Sequence, residues 1–357
     1  MLRFWIFLPL CPSSVFSEAT YLTDLEDECK TTDLQQLFAC WCEKYPTTVS
    51  KFGMINNEFT QRLAIFRKNL VLIREHNANP ASSWTMSVNE FAAHTWDEFA
   101  AEKLSTPQDC SATHRVGIAT PTVSPVFDVP PTSKDWRDEG IVTPVKNQGA
   151  CGSCWTFSTT GVVEAHYAKA TGNLVSLSEQ QLVDCAADFN NHGCQGGLPS
   201  QAMEYIRYRG GLQKEVDYPY NGRNQKCNSL ESKAVAHIAD VVNITQGDEN
   251  GILLAVGTVG PVSIAYDCTL GFQFYHKGVY DGWFCGTKPS QVNHAVLAVG
   301  YGHDSKSGKD YWLVKNSWGA SFGEKGYFRI VRNKNKCGLA DCASYPTMQT
   351  TSSAVLV

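Results

Sequence analysis

The chain has 357 residues, of which 43% are hydrophobic and 18% are charged. This composition supplies enough apolar material for a folded core and too little charge for a disordered chain or a coiled coil. The formal net charge is −5, and the sequence contains no cluster of lysine and arginine. These two features argue against nucleic acid as the main partner. The length indicates two domains, or one domain with an appendage.

The N-terminus and the cysteine content both indicate a protein of the secretory pathway. A basic opening precedes an apolar run that ends at Leu10, and small residues follow, which predicts a signal peptide cut near Ser17 or Ala19. Fourteen cysteines are typical of a chain that forms disulfides in an oxidising compartment. No later run reaches the roughly 18 apolar residues of a membrane span, so none is predicted.

Two amphipathic helices are predicted between residues 24 and 105. Asp33 can cap the first, and the second begins near Glu58. The second helix carries one stripe of mixed polar and apolar residues, namely Glu58, Arg62, Phe66, Asn69, Ile73 and Asn77. Polar side chains in such a stripe indicate hydrogen bonds to another segment. Residues 105–133 are rich in Ser, Thr and Pro, which predicts a linker open to proteolysis.

Beyond Asp135 the predicted helices come first and the predicted strands second. One helix begins at Cys154 and ends near Gly172, and another is capped by Ser178. The strand-like runs are 261–266, 293–301, 311–315 and 326–331. This order predicts an α+β molecule with two lobes.

Residues 148–155, which read QGACGSCW, carry the strongest chemical signal. Cys154 stands at the predicted start of a helix, where the helix field favours a thiolate. The C-x-x-C spacing with Cys151 leaves a zinc half-site or a redox dithiol open. Zinc lacks a second pair at ligand spacing, because Cys185 and Cys194 are nine residues apart. A redox dithiol would be expected at the end of a first strand in a βαβ pattern, and the sequence shows no such pattern here. A peptidase nucleophile is therefore favoured.

A catalytic thiolate needs a base, and the base needs a group that orients it. His294 lies in a strand-like run 140 residues after Cys154, and Asn316 follows 22 residues later at the end of another strand. This order and spacing are typical of a cysteine peptidase. The other histidines that we considered, His166, His192 and His276, have no such context and are predicted to be structural or on the surface.

These segments resemble the papain-like cysteine peptidases from about residue 30 to residue 346. Long matches are QGACGSCWTFSTTG (148–161), LSEQQLVDCAADFNNHGCQGGLPSQA (177–202), VNHAVLAVGYG (292–302), YWLVKNSWG (311–319) and CGLADCASYP (337–346). The resemblance implies a two-lobe α+β fold with a helical left lobe, a β-barrel-like right lobe and a helical N-terminal propeptide. It implies a signal peptide (1–17), an inhibitory propeptide (18–105), a mini-chain (106–113), an excised linker (114–129) and a peptidase domain (130–357).

The resemblance also implies roles for individual residues. Cys154 would be the nucleophile, His294 would share its proton, and Asn316 would orient the imidazole. The remaining implied site residues are Gln148 as an oxyanion-hole donor, Trp318 as a shield of the His–Asn contact, and Gly196 and Gly197 as positions where a substrate backbone approaches. No metal or other cofactor is implied. The implied partners are peptide and protein substrates, the chain's own propeptide and cystatin-type inhibitors, and the enzyme would be a lysosomal or secreted monomer.

The cysteine pairs are also taken from the resemblance. They are Cys151–Cys194, Cys185–Cys227, Cys285–Cys337 and Cys110–Cys342. The alternative Cys268–Cys342, with Cys110 free, stays open. Cys40 and Cys42 have no assigned partner. A sequon at Asn243 predicts N-glycosylation at the surface.

The segment PQDCSAT (107–113) resembles the mini-chain of one branch of this family. Cleavage after Thr113 would leave a carboxylate in the cleft, where it would block extended substrates and attract a free substrate N-terminus. We therefore expect mainly aminopeptidase activity with some endopeptidase activity. The family pattern G-x-N-x-F-x-D reads SVNEFAA here (87–93), so its Gly and Asp are missing.

Two other classes of function are testable. A non-catalytic binding or inhibitor protein on the same fold would lack Cys154, His294 or Asn316, and all three are present. A thiol–disulfide oxidoreductase would use Cys151 together with Cys154.

Overall fold

The computed structural model describes residues 23–53, 57–108, 129–282 and 284–349. The helices before residue 105 are α1 (Asp24–Cys29), α2 (Leu34–Lys44), α3 (Pro46–Phe52), α4 (Asn57–Asn77) and α5 (Trp96–Lys103). The later helices are α6 (Cys154–Thr171), α7 (Glu179–Cys185), α8 (Pro199–Tyr208) and α9 (Glu249–Leu254). Within these ranges, no helix is both long and apolar enough to cross a membrane.

The strands are short in the first half of the chain and longer in the second. They are β1 (Trp84–Met86), β2 (Lys134–Asp135), β3 (Leu212–Gln213), β4 (Ala234–Ala236), β5 (Ile238–Asn243), β6 (Val262–Tyr266), β7 (Tyr275–Tyr280), β8 (His294–Asp304), β9 (Lys309–Lys315), β10 (Tyr327–Val331) and β11 (Ser344–Met348). The predicted strands at 261–266, 293–301, 311–315 and 326–331 are therefore confirmed.

The main sheet has the order β1-β7-β10-β9-β8-β6-β11-β5, and β2 pairs with β8. It is mixed, because β10 and β7 run parallel while the other pairs are antiparallel. The α+β class and the helical character of the N-terminal segment are confirmed. The expected β-barrel-like lobe needs a correction, because the described strands do not close into a barrel. One end of the strand path is β5, and the other is β1, which the propeptide adds to β7.

Local sequence signals explain where the central helices begin and end. Asp33 caps α2 by accepting a hydrogen bond from the backbone N–H of Gln36. Ser178 caps α7 in the same way. The central helix α6 ends at Gly172, whose φ of 75° is left-handed and favours glycine. These three boundaries were predicted correctly.

The polar stripe of α4 holds the segment between β1 and α5. Arg62 donates two hydrogen bonds to the carboxylate of Glu98, at 2.7 and 2.8 Å. The amide of Asn69 donates to the carbonyls of Ala92 and His94, each at 2.9 Å. These bonds confirm the prediction that the stripe binds another segment of the chain.

Replacing Glu98 by glutamine is expected to loosen α5 from α4 in a pH-dependent way. The hydrogen bonds from Arg62 lower the pKa of Glu98 from its ordinary 4.5 to about 2. The stabilisation from this carboxylate is therefore complete above pH 4.5 and is lost as the pH falls toward 2. At pH 6 we expect Glu98→Gln to lower the free energy of unfolding by on the order of 1 kcal/mol, since solvent screens this partly exposed group.

Chemical denaturation of the zymogen at pH 6 and pH 3 measures this effect. The difference between parent and variant should shrink at the lower pH. Asp97→Asn removes a neighbouring carboxylate that is exposed, and it serves as the matched control. An equal loss in the control, or a difference that does not shrink, would contradict the assignment.

The helical N-terminal segment also pairs with the later part of the chain through β1. Trp84 lies opposite Gly278 of β7 and packs against the rings of Tyr275 and Tyr280. Gly278 has a φ of 102°, and a Cβ there would lie 2.4 Å from the carbonyl oxygen of Ser83. Glycine is therefore required for this close approach.

Four disulfides are present among the described residues, namely Cys29–Cys40, Cys151–Cys194, Cys185–Cys227 and Cys285–Cys337. The last three have the expected pairing, while Cys29–Cys40 was not anticipated. Cys268 is a free thiol and Cys342 is disulfide-bonded, so the alternative Cys268–Cys342 pairing is wrong. The expected partner Cys110 lies outside the described residues, as do the signal peptide, Thr113 and the linker before residue 129.

Candidate active site

The candidate nucleophile lies at the first residue of the central helix. Cys154 begins α6 and is fully buried. Its sulfur accepts a hydrogen bond from the backbone N–H of Ala295 at 3.4 Å, so it lies beside the start of β8. The hydroxyl of Ser105, from the segment that follows α5, is 3.2 Å from the sulfur. The helix and the strand thus bring the thiol to the boundary between the helical part and the sheet.

The candidate base is oriented by a fixed acceptor. His294 is the first residue of β8, and its Nε2 lies 2.8 Å from Oδ1 of Asn316, which follows β9. The same Oδ1 accepts the backbone N–H of Ser317 at 2.8 Å. Because this oxygen is an acceptor, Nε2 of His294 carries the proton in the neutral ring and Nδ1 does not. Nδ1 is buried and has no hydrogen-bond partner among the described residues, so it is available to take a proton.

An aromatic wall covers the hydrogen bond between His294 and Asn316. The indole of Trp318 stacks on the imidazole with ring centroids 4.6 Å apart, and Trp318 is fully buried. Rings from both the propeptide and the peptidase domain surround the indole, namely Phe91, Phe99, Phe272 and Phe322. Excluding water from this hydrogen bond strengthens it.

The amide of Gln148 is fixed at both ends. Its Oε1 accepts the hydroxyl proton of Ser317 at 2.7 Å, which directs Nε2 toward the carbonyls of Cys151 and Lys103, at 2.8 and 2.9 Å. Gln148 is fully buried. The donor therefore already holds a peptide carbonyl that comes from the propeptide. The sequence analysis did not single out Ser317, although its position directly after Asn316 was a usable signal.

Residues 103–106 cross directly over Cys154. The ammonium of Lys103 donates to the carbonyl of Gly149 at 3.0 Å, on the helical side. The backbone N–H of Ser105 donates to the backbone carbonyl of Asn293 at 2.8 Å, on the sheet side, and the Ser105 hydroxyl donates to the carbonyl of Gly152 at 3.1 Å. The next N–H, from Thr106, donates to the carbonyl of Gln195 at 3.0 Å. No sequence pattern marked these residues, because their bonds come mainly from the backbone.

The two candidate substrate-contact glycines have different surroundings. Gly196 has a φ of 130°, and a Cβ there would lie 3.0 Å from the Cβ of Ser105. An extended chain does approach Gly196 closely, as expected. A Cβ on Gly197 would instead lie 2.6 Å from the indole of Trp155 and 2.4 Å from Asn191. The missing side chain of Gly197 thus makes room for the protein's own side chains.

Burial shifts the pKa values of the thiol and the imidazole toward their uncharged forms. It raises the pKa of the Cys154 thiol above its ordinary value. It also lowers the pKa of His294 to about 4, and the charge of nearby Lys103 acts in the same direction, while the hydrogen bond with Asn316 opposes it. Both shifts therefore favour the uncharged thiol and the uncharged imidazole while residues 103–106 cover the site.

A buried set of charges supports the loops that carry Gln148 and Asn316. Lys146 binds the carboxylates of Glu164 and Glu179, at 2.8 and 2.6 Å, and both carboxylates are almost fully buried. Lys315, directly before Asn316, donates to the hydroxyl of Thr143 at 2.9 Å. A buried charge needs such partners because solvent does not reach it. Sequence patterns did not reveal this set, since its members are distant in the chain.

The sequon residue Asn243 lies near the same cleft. It is the last residue of β5, pairs with Ser344 and is half-buried. It lines a pocket together with Thr106, Gln108 and His294. Asn243 thus lies at the edge of the pocket, and the predicted glycosylation there stays a prediction.

Two chemical alternatives are wrong. A redox dithiol and a zinc half-site both need Cys151 as a free thiol, and Cys151 is bonded to Cys194. Among the other histidines, His166 is buried against the carbonyl of Pro261 and His192 is exposed, as predicted. The partly exposed His276 lies 3.3 Å from Asp24.

Two family models match the chain. Residues 130–347 match the papain family cysteine protease model, and residues 38–99 match the cathepsin propeptide inhibitor domain (I29). The thiol protease aleurain of Arabidopsis thaliana is 52% identical over 82% of this chain and 79% of its own length. Pro-cathepsin H of Bos taurus is 52% identical over 82% of this chain and 85% of its own length.

The fold comparison gives the same grouping. The structure of digestive procathepsin L2 proteinase from the larval midgut of Tenebrio molitor superimposes with a TM-score of 0.77. It is 39% identical in sequence, and the match covers 86% of this chain and 99% of that one.

Proposed function

Because the chain belongs to the papain family of cysteine proteases and is made as a zymogen, we propose which of its residues perform the hydrolysis. Cys154 is the nucleophile, His294 the general base and acid, Asn316 the orienting group and Gln148 a donor of the oxyanion hole. The proposal depends on one observation: Nε2 of Gln148 already donates to a peptide carbonyl, that of Lys103, at 2.9 Å in the site that holds the buried thiol. A substrate carbonyl in that place would meet donor and nucleophile together.

The reaction is acyl transfer through a thioester. When the propeptide leaves, water reaches the site and the proton of Cys154 passes to Nδ1 of His294. The thiolate attacks the substrate carbonyl carbon, and Gln148 together with the backbone N–H of Cys154 stabilises the oxyanion. The imidazolium gives its proton to the leaving amine. Water, deprotonated by the imidazole, then hydrolyses the thioester and restores the thiol.

The propeptide inhibits by occupying the cleft. This proposal is supported by residues 103–106, which cross the site. They accept the hydrogen bond of the Gln148 amide, cover Cys154 and donate to the carbonyls of Asn293 and Gln195. We assign residues 1–17 to a signal peptide, 18–105 to the inhibitory propeptide, 106–113 to the mini-chain, 114–129 to an excised linker and 130–357 to the peptidase domain.

The mature enzyme is mainly an aminopeptidase. Relatives at about half identity are named aleurain and pro-cathepsin H, and the chain has the segment that resembles a mini-chain. A bond between Cys110 and Cys342 would tie that segment beside the pocket lined by Cys342. The carboxylate of Thr113 would then bind the ammonium group of a substrate's first residue. We further propose glycosylation at Asn243, a lysosomal or secreted location, a monomeric state and inhibition by cystatins.

Matched peptide substrates with free and acetylated N-termini test the aminopeptidase proposal on the processed enzyme. We expect kcat/KM to be about tenfold or more higher for the free N-terminus, since one desolvated ion pair contributes roughly this factor. The control is enzyme carrying Cys110→Ser, which would lose the tethered segment and with it the preference. Equal rates on both substrates, or faster cleavage of the acetylated one, would contradict the proposal.

A further inference from the structure

A disulfide joins the N-terminal helix of the propeptide to the next helix. Cys29, the last residue of α1, is bonded to Cys40 in α2. Both residues are half-buried. Cys42, two residues farther along α2, is a free thiol. Helix α1 has six residues, and a helix of this length is not stable without tertiary contacts.

Helix α1 connects the body of the propeptide with the strand that contacts the peptidase domain. Leu25 and Glu26 are each 2% exposed, and the carboxylate of Glu26 is ion-paired with Arg74 of α4. On its other side, the carboxylate of Asp24 accepts the hydroxyl proton of Ser87 at 3.1 Å. Ser87 directly follows β1, which is the strand that pairs with β7.

The same carboxylate also contacts the peptidase domain itself. Asp24 lies 3.3 Å from the imidazole of His276 on β7. Helix α1 thus spans the junction of β1 and β7. Its own noncovalent contacts with the junction are exposed and individually weak, so the position of α1 depends on the buried residues and on the disulfide.

We propose that Cys29–Cys40 is a redox clasp: while it is closed, α1 stabilises β1 on β7, and its reduction loosens the propeptide. The inference rests on the proposed inhibitory role of the propeptide. Opening the bond removes the covalent restraint between α1 and α2. Helix α1 is then held by noncovalent contacts alone, and the contacts of Asp24 with Ser87 and His276 at the junction of β1 and β7 weaken. The clasp therefore makes the latency of the zymogen sensitive to thiol reductants.

The reaction is ordinary thiol–disulfide exchange with a dithiol reductant. One thiolate of the reductant attacks a sulfur of the Cys29–Cys40 bond and forms a mixed disulfide, and the other cysteine leaves as a thiolate. The second thiol of the reductant then displaces the remaining cysteine. The protein gains two electrons and two protons as two thiols, and the reductant becomes a cyclic disulfide.

Hydrogen–deuterium exchange of the full-length zymogen tests the clasp. A Cys154→Ser background prevents self-processing, and exchange of residues 84–87 reports on the pairing of β1 with β7. With dithiothreitol, we expect these amides to exchange about tenfold faster or more. The Cys29→Ser/Cys40→Ser variant should exchange at the faster rate without reductant and should not respond further. Cys42→Ser is the matched control and should behave like the parent.

Two results of this experiment would contradict the redox clasp. Unchanged exchange after confirmed reduction of Cys29–Cys40 would overturn it, even if the double serine variant failed to fold, because the parent is reduced after folding. A double variant that responds to reductant like the parent would also overturn it and would assign the effect to another disulfide, such as Cys185–Cys227. Peptidase activity of the Cys154-containing zymogen is measured separately, so a failure of the clasp is distinguishable from a failure of inhibition.

Discussion

Replacing Cys154 by serine is expected to lower kcat/KM of the processed enzyme by roughly 10⁵-fold. A serine hydroxyl beside His294 has a far higher pKa than a thiol, so the resting nucleophile would no longer be an anion. Cys154 is the first residue of α6, and its sulfur accepts a hydrogen bond from the backbone N–H of Ala295, so both features stabilise a thiolate here. Steady-state hydrolysis of a fluorogenic peptide measures the loss, with the propeptide removed from both enzymes by the same external protease.

Cys268→Ser is the matched control for this substitution. Cys268 is also a buried free thiol, and burial raises its pKa well above the ordinary value, so it carries no reactive thiolate. We expect its replacement to leave kcat/KM within about threefold of the parent, because it removes no charged or donor group of the site. Undiminished activity of Cys154→Ser would refute the assignment of the nucleophile.

The second large effect concerns the zymogen, which is expected to hydrolyse peptides at about one thousandth of the rate of the processed enzyme, or less. A tethered segment has an effective concentration of roughly millimolar, so even micromolar intrinsic affinity gives this factor. Residues 103–106 compete directly with substrate, because Lys103 occupies the Gln148 donor and Ser105 covers Cys154. Initial rates of the intact and the processed protein at the same neutral pH, with the integrity of the intact chain checked during the measurement, give the ratio.

A pair of adjacent propeptide substitutions sharpens this test. Asn69→Ala removes two buried hydrogen bonds to the segment that leads into α5, and we expect the zymogen to become roughly tenfold more active. Lys68→Ala changes the exposed neighbour and should leave the latency unchanged. Hydrolysis by the parent zymogen at the rate of the processed enzyme would contradict the inhibitory role of the propeptide.

The positions of the candidate site residues could be predicted from sequence because each stands in a local pattern. Cys154 followed a turn and opened a helix, and His294 and Asn316 stood at the ends of apolar strands. Helix caps such as Asp33 and Ser178 were equally readable, since the capping side chain and its partner are three residues apart.

Features that depend on distant segments could not be predicted in this way. The crossing of residues 103–106 depends on bonds to backbone groups of distant segments, which have no sequence signature. The disulfide Cys29–Cys40 depends on how α1 folds onto α2, and no spacing rule fixes that. The right lobe was expected to be β-barrel-like, and its described strands form an open path with β1 and β5 at opposite ends. The packing of Trp155 and Asn191 against Gly197 also joins distant segments, although Gly197 lines the pocket beside His294 as well.

The rate of alkylation of Cys154 as a function of pH tests the central claim, that this thiol forms an ion pair with His294 once residues 103–106 have left. The processed enzyme is treated with iodoacetamide between pH 5.5 and 8, and the labelled cysteine is identified by peptide mapping. We predict that the rate constant for Cys154 falls less than about threefold across this range, as for a thiolate that is already formed. A fall of about 200-fold, as expected for a thiol with a pKa near 8.5, would contradict the account.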